Sequence, residues 1–329
     1  MDKIKKIFIP LKGDSTKEIV KKCLTMLALL VLIACIVIFA IAITGSLRTE
    51  RLQQDLSDLH KGVETVKIVT TVPTTTTAPP TTEATDTTTA KPPLVVLDSM
   101  KPLLEENPDT AGWISVAGGV DGVVVQAADN EKYLHADFYG KWAEAGTIFA
   151  DFRDVLNDYN ENQSSNIIIY GHNQRDGTMF GKLKEYKITH ANTTNFSFYK
   201  ENPTFTFSNL YEEYTYKIIA MFVIEVEPSQ TRDGVIFNYH NFYEFFKEPP
   251  YTFADWESGI MSRTAVNTGV EFDETDKFIT LSTCSNEFEP SRFVLIGRRV
   301  RPGESPEVDT SLAELNTDAI EPDWKFIYG

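Results

Sequence analysis

The chain has 329 residues, 31 Lys and Arg against 47 Asp and Glu, a formal net charge of −16 and 42% hydrophobic residues. So acidic a chain lacks the basic surface that nucleic acid demands, which excludes a nucleic-acid partner. Three cysteines, Cys23, Cys35 and Cys284, cannot frame a disulfide-built fold, so any globular part must rely on a hydrophobic core.

Composition divides the chain into five segments. Residues 1–22 carry seven lysines, from Lys3 to Lys22, and form a basic segment expected in the cytoplasm. Residues 23–45 are expected to form a transmembrane helix. Leu24 to Ile43 carries no charge, and about 20 apolar residues suit a bilayer's hydrocarbon core. Ala40-Ile-Ala42 would also suit a signal-peptide cleavage site, but the apolar run is longer than a secretory h-region and favours an uncleaved anchor. The positive-inside rule then puts the rest of the chain outside the cell membrane.

Residues 46–93 read as stalk and linker. Leu47, Leu52, Leu56 and Leu59 form a thin stripe at helical spacing, which we read as a short solvated stalk. Residues 70–93 are rich in Thr and Pro and cannot bury enough apolar area to fold. This disordered tether would span roughly 70 Å if polyproline-like and would hold a head away from the membrane.

The folded domain is expected over residues 94–301. It opens with a helix-like stretch, Val95 to Glu106. Short β-type runs follow at Gly112 to Val116, Val123 to Gln126, Thr147 to Phe152, Asn166 to Tyr170 and Thr204 to Phe207. In the longer run from Glu213 to Val226, Tyr214, Tyr216, Ile218, Ala220, Phe222 and Ile224 would share one face at period two. Lys277 to Thr283 and Arg292 to Val300 complete the strands. Helical interruptions are expected at Gly177 to Tyr186 and Asn241 to Asn267. The pattern predicts a mainly β domain, an antiparallel barrel or sandwich. Residues 302–329 form an acidic tail that Trp324, Phe326 and Tyr328 could dock.

Three chemically capable residues sit at strand ends: His172 after Ile167-Ile-Ile-Tyr-Gly171, Cys284 closing one run, and Arg292 opening another. Each has a bland alternative: a packed thiol, a turn-capping imidazole, a surface cation. Together they suit acyl transfer. A thiolate attacks, an imidazole moves the proton, and a permanently charged guanidinium faces the carbonyl oxygen. No acidic cluster has metal-ligand spacing, so neither a metal nor a cofactor is expected.

Thr280-Leu-Ser-Thr-Cys284, Tyr170-Gly-His-Asn173 and Arg292-Phe-Val resemble the signature segments of sortases, the membrane-anchored cysteine transpeptidases of Gram-positive cell surfaces. Asn107 to Ile114, Val124 to Gln126 with Asp129-Asn130, Tyr133-Leu134, Gly146 to Asp151 and the aromatic insertion at 241–267 resemble class B in particular. The resemblance implies a closed eight-stranded β-barrel with flanking helices. It implies Cys284 as nucleophile, His172 as general acid and base, and Arg292 as the cation orienting substrate or transition state. Asn130, Leu134 and Ser282 match positions that line the substrate groove.

The implied substrates are secreted proteins with a C-terminal sorting signal, cleaved at a Thr carbonyl through a thioester. The implied acceptor is an amine of a peptidoglycan precursor or cross-bridge. The long linker, the acidic tail and Ile296-Gly297 in the final strand depart from the pattern. A pilin-polymerising sortase with a Lys acceptor is the nearest alternative, though no inhibitory lid of the Asp-Pro-Trp type is evident. A non-catalytic stalked binding module would leave Cys284 in the core. A papain-like protease would carry its cysteine early, at a helix start.

Overall fold

The computed structural model describes residues 13–62, 91–232, 234, 237, 252–285 and 287–328. The chain divides into two units, one ending at Leu52 and one beginning at Gln53. The first is built on helix α1 (Thr16–Lys61), which continues through Gly45 without a break. Among the described residues it is the one helix long and apolar enough to cross a membrane. Its apolar side chains, Ile38 and Phe39 among them, are exposed.

The last turns of α1 belong to the second unit, and here the stalk reading of residues 46–61 is corrected. Leu56 is 4% exposed, so this part of the stripe is packed and not solvated. The His60 ring stacks on Trp113 at 4.2 Å, and Lys61 pairs with Asp121 at 2.7 Å. Residues 70–90 of the Thr/Pro linker lie outside the described residues.

Eight strands close a barrel: β1 (Thr110–Val116), β2 (Val120–Val125), β3 (Phe149–Ala150), β4 (Asn166–Tyr170), β5 (Thr204–Asn209), β6 (Glu213–Glu225), β8 (Phe278–Cys284) and β9 (Ser291–Arg299). Their order is β1-β2-β3-β4-β8-β9-β6-β5. Closure removes the open edges that a sheet would otherwise expose. The expected antiparallel arrangement is corrected at two places, since β2 pairs with β3 and β4 with β8 in parallel. A parallel pair needs a long crossover, and a wide span of chain separates β4 from β8.

The run Ile167-Ile-Ile169 in β4 is at most 1% exposed on both faces. Such continuous β-branched burial marks a strand covered on both sides. Inside the barrel lie Ile167, Ile169, Ile279, Leu281, Phe293 and Leu295. Outside, Phe222, Phe278, Val294 and Ile296 meet Trp256 and Ile260 of helix α4 (Phe253–Met261). Thr252 caps that helix, accepting from the Asp255 amide at 3.2 Å while the Asp255 carboxylate accepts in return. The long helix expected over 241–267 is therefore α4 where it is described, followed by the short strand β7 (Val266–Asn267). Residues 238–251 lie outside the described residues.

The single face expected along β6 is also corrected. A register shift between Ile218 and Ala220 inserts one residue against β9. Tyr216 and Ile218 point into the barrel before it, and Met221 and Val223 after it. Ala220, Phe222 and Ile224 are thereby turned outward onto α4. An extra residue in a period-two strand exchanges its two faces.

The helix expected at 95–106 is a 3-10 turn (Asp98–Met100) leading into α2 (Lys101–Glu106). That at 177–186 is a 3-10 helix over Gly181–Tyr186. Helix α3 (Phe196–Glu201) precedes β5. The tail is docked on the domain: β10 (Glu314–Leu315) pairs with β7, and helix α5 (Trp324–Tyr328) ends it.

Two buried carboxyls after β3 titrate in opposite directions. Burial raises Asp151, but the Arg153 guanidinium and amide, with the Asn130 amide, outweigh it and hold the carboxyl at about 2. Asp154 is pushed up to about 7 by burial, with the nearby Asp151 charge adding to the rise. One Asp154 oxygen accepts from the Ile168 amide at 2.7 Å, and the other has no hydrogen-bond partner among the described residues. The unfolded chain releases the Asp154 proton near pH 4 and the folded chain only near pH 7, so stability falls between those values. Asp151 contributes stability that is lost only below about pH 4, outside that window.

Thermal unfolding should show wild-type stability dropping from pH 5 to pH 8 by more than in Asp154→Asn. The difference should be on the order of a few kcal/mol. Equal pH slopes in the two proteins would contradict the assignment.

Candidate active site

The parallel ladder between β4 and β8 sets the site. Tyr170 lies opposite Ser282, and the Gly171 amide donates to the Ser282 carbonyl at 3.3 Å. Both strands run the same way, so His172 and Cys284, each two residues further on, leave the barrel at one rim. Asn173 ties the two ends together by donating its side-chain amide to the Cys284 carbonyl at 2.7 Å. β9 starts at the same rim, antiparallel to β8, with Arg292 directly opposite Cys284.

Ile279 and Leu281 face the barrel interior, whereas Phe278 faces the outer cluster. By strand alternation Cys284 lies on the outer side with Phe278, Thr280 and Ser282. It is half-buried, as are His172 and Arg292. The Arg292 Nη1 donates to Cys284 Sγ at 3.5 Å and to the Ser291 carbonyl at 3.1 Å. A fixed positive charge therefore rests against the sulfur, where it faces any oxyanion formed next to it.

His172 is held from the other side. Its Nε2 lies 2.8 Å from the Leu134 carbonyl oxygen. A carbonyl only accepts, so Nε2 carries the proton and Nδ1 is the nitrogen free to exchange one. The His135 ring stands 5.8 Å from that of His172. The Leu134 segment is pinned in turn: Thr147 donates to the Tyr133 carbonyl and Ala143 to the His135 carbonyl, each at 3.0 Å. Gly146 makes the close approach feasible. Its φ is +58°, and a Cβ there would lie 2.5 Å from the Tyr133 oxygen and 2.6 Å from the Leu134 oxygen.

His172, Cys284 and Arg292 thus come together from three strand ends. The residues expected to line a groove take different places. Leu134 is half-buried beside His172 through its carbonyl. Asn130 donates to Asp151 at 3.0 Å and accepts from the Phe152 amide at 3.1 Å. Ser282 shares the Cys284 face but is 2% exposed. Asn173 and Gly146 lie within the motif segments but carry no chemistry of their own. Their contribution is to backbone geometry, which spacing does not reveal.

Residues 150–300 match the sortase domain family. Sortase B of Listeria monocytogenes is 31% identical over 210 residues, covering 62% of this chain and 75% of that protein. Sortase B of Staphylococcus aureus is 27% identical over 198 residues, covering 59% and 72%. The crystal structure of sortase B from B. anthracis in complex with AAEK2 superposes with a TM-score of 0.53 at 20% identity, covering 77% of this chain and 96% of that chain. That likeness concerns the fold.

Gly146→Ala should cost about 1–3 kcal/mol, through left-handed backbone strain, and should displace the Leu134 carbonyl. The His172 Nε2 proton resonance should move with it. A folded variant with that resonance unchanged would contradict the coupling.

Proposed function

The chain belongs to the class B sortases, transpeptidases acting on surface proteins, and from that premise we propose that Cys284, His172 and Arg292 are its catalytic residues. The observation that carries the proposal is the Arg292 guanidinium held 3.5 Å from the Cys284 sulfur by direct cross-strand pairing. The substrate is a secreted protein bearing a C-terminal sorting signal, and the bond broken is the amide after a Thr.

The Cys284 thiol gives its proton to His172 Nδ1, the resulting thiolate attacks that Thr carbonyl carbon, and the oxyanion forms against Arg292. His172 gives a proton from Nδ1 to the leaving amine as the C–N bond breaks, leaving a thioester on sulfur. An acceptor amine then attacks the thioester, its proton passes to Nδ1, and the thiolate leaves. The acceptor is an amine of the peptidoglycan precursor or cross-bridge. Leu134 contacts the signal beside His172. Ser282 forms the floor behind Cys284, and Asn130 shapes the groove by pinning Asp151 and Phe152. Helix α1 anchors the enzyme, with the lysine-rich segment at 1–22 on the cytoplasmic side.

The full-length chain in detergent micelles, given a panel of sorting-signal peptides, should form a thioester adduct on Cys284 visible by intact mass. Cys284→Ala should form none and should lose peptide cleavage. Cleavage by Cys284→Ala at the wild-type rate would refute the reading.

A further inference from the structure

The turn between the proposed nucleophile and the proposed cation is closed on itself. The Ser285 amide donates to the Ser291 carbonyl at 3.2 Å, and the two serine hydroxyls meet at 2.6 Å. Both serines are 2% exposed. This closure holds the register that puts Arg292 opposite Cys284. Its outer side is held by other parts of the chain. Lys187 pairs with Glu287 and donates to the Ser285 carbonyl at 3.2 Å. Trp324 of α5 meets Phe288 edge-to-face at 5.7 Å and 79°. The Tyr328 hydroxyl donates to the Glu287 carbonyl.

Helix α5 is itself fixed before it reaches the turn. Asn316 donates from its amide to the Ala265 carbonyl at 3.0 Å, and Ile320 to that of Ser262 at 2.8 Å. Glu321 accepts from the His190 amide and from the Trp324 indole, and Asp323 pairs with Arg232. A five-residue helix has little stability alone, so these anchors give Trp324 and Tyr328 their positions. The tail therefore reaches from the β7 side of the barrel to the segment joining Cys284 and Arg292. Its two contacts there are Trp324 on the Phe288 ring and Tyr328 on the Glu287 carbonyl.

We propose that Trp324 and Tyr328 are positioning residues: the C-terminal helix braces the Cys284–Arg292 turn and so keeps the guanidinium against the sulfur. The inference rests on Cys284 and Arg292 acting as proposed above. The brace acts at the turn, so its loss should lower turnover and leave substrate affinity nearly unchanged. A tail that covered the site would do the opposite, and its removal would speed the enzyme.

The test compares the full-length chain in detergent micelles with Trp324→Ala, Trp324→Phe, Tyr328→Phe and a chain ending at Pro322. Hydrogen exchange over residues 287–291 should accelerate about fivefold to tenfold in Trp324→Ala and in the shortened chain. Peptide-resolved alkylation, which separates Cys284 from Cys23 and Cys35, should slow at Cys284 by about fivefold in the same two proteins. kcat on a cleavable signal peptide should fall by a similar factor with KM unchanged. Trp324→Phe keeps an aromatic edge and should restore most of each signal. Tyr328→Phe should show a smaller change, confined to exchange at the turn.

Unchanged exchange at 287–291 in both Trp324→Ala and the shortened chain would overturn the brace. Faster exchange with unchanged Cys284 alkylation would overturn its positioning role, and so would a rise in kcat. Exchange and alkylation need no turnover. A wild-type enzyme that cleaved no peptide would therefore count against the proposed reaction while the brace was still being measured.

Discussion

The site depends on one ladder, the parallel pairing of β4 with β8. Five consecutive residue pairs, from Asn166 with Phe278 to Tyr170 with Ser282, fix the relative register of two segments more than a hundred residues apart in sequence. A slip of one residue would turn Cys284 from the outer side of the barrel to the inner side. The ladder is held by its burial. Ile167, Ile168 and Ile169 on one strand and Ile279, Thr280 and Leu281 on the other are all at most 1% exposed. Thr280, the polar member, donates to the Asn166 side chain at 3.0 Å, so its burial is compensated. Side chains carried on such strand ends sit more firmly than side chains on free loops.

Around that ladder the remaining contacts adjust orientation. Asn173 joins the His172 segment to the Cys284 carbonyl, and the Leu134 carbonyl selects which imidazole nitrogen carries a proton. Arg292 is delivered by the antiparallel pairing of β9, closed behind it by Ser285 and Ser291. None of these contacts is strong alone. Each removes a rotation that would separate the sulfur, the imidazole and the guanidinium, and that preorganisation is what an acyl-transfer site requires.

Much of this was legible in the sequence because the informative signals are local. The β-rich runs at 166–170, 204–207 and 277–283 stand out by composition, and His172, Cys284 and Arg292 stand out at their ends. What was not legible is non-local. Parallel pairing of β4 with β8 depends on which distant strands meet, and no residue pattern within either strand states it. The bulge between Ile218 and Ala220 reverses the face of half of β6, and alternation of apolar residues on both sides of it looks continuous. The contact of the Leu134 carbonyl with His172 is equally hidden, because a backbone oxygen is one that any residue would supply. The polar helix at 46–61 has too thin a stripe to announce the burial of Leu56, which becomes apparent only with Trp113 beside His60. Gly146 shows its role only when the oxygens of Tyr133 and Leu134 are placed around it.

The central claim is that the ladder and its neighbours deliver a guanidinium of defined geometry to the Cys284 sulfur. The most direct measurement is kcat/KM for Arg292→Lys on a cleavable sorting-signal peptide. Lysine keeps the charge but loses the planar guanidinium whose Nη1 strand β9 places against the sulfur. The account predicts a loss of about 100-fold to 1,000-fold, comparable to removing an oxyanion-stabilising donor. A variant with kcat/KM near the wild-type value would contradict it.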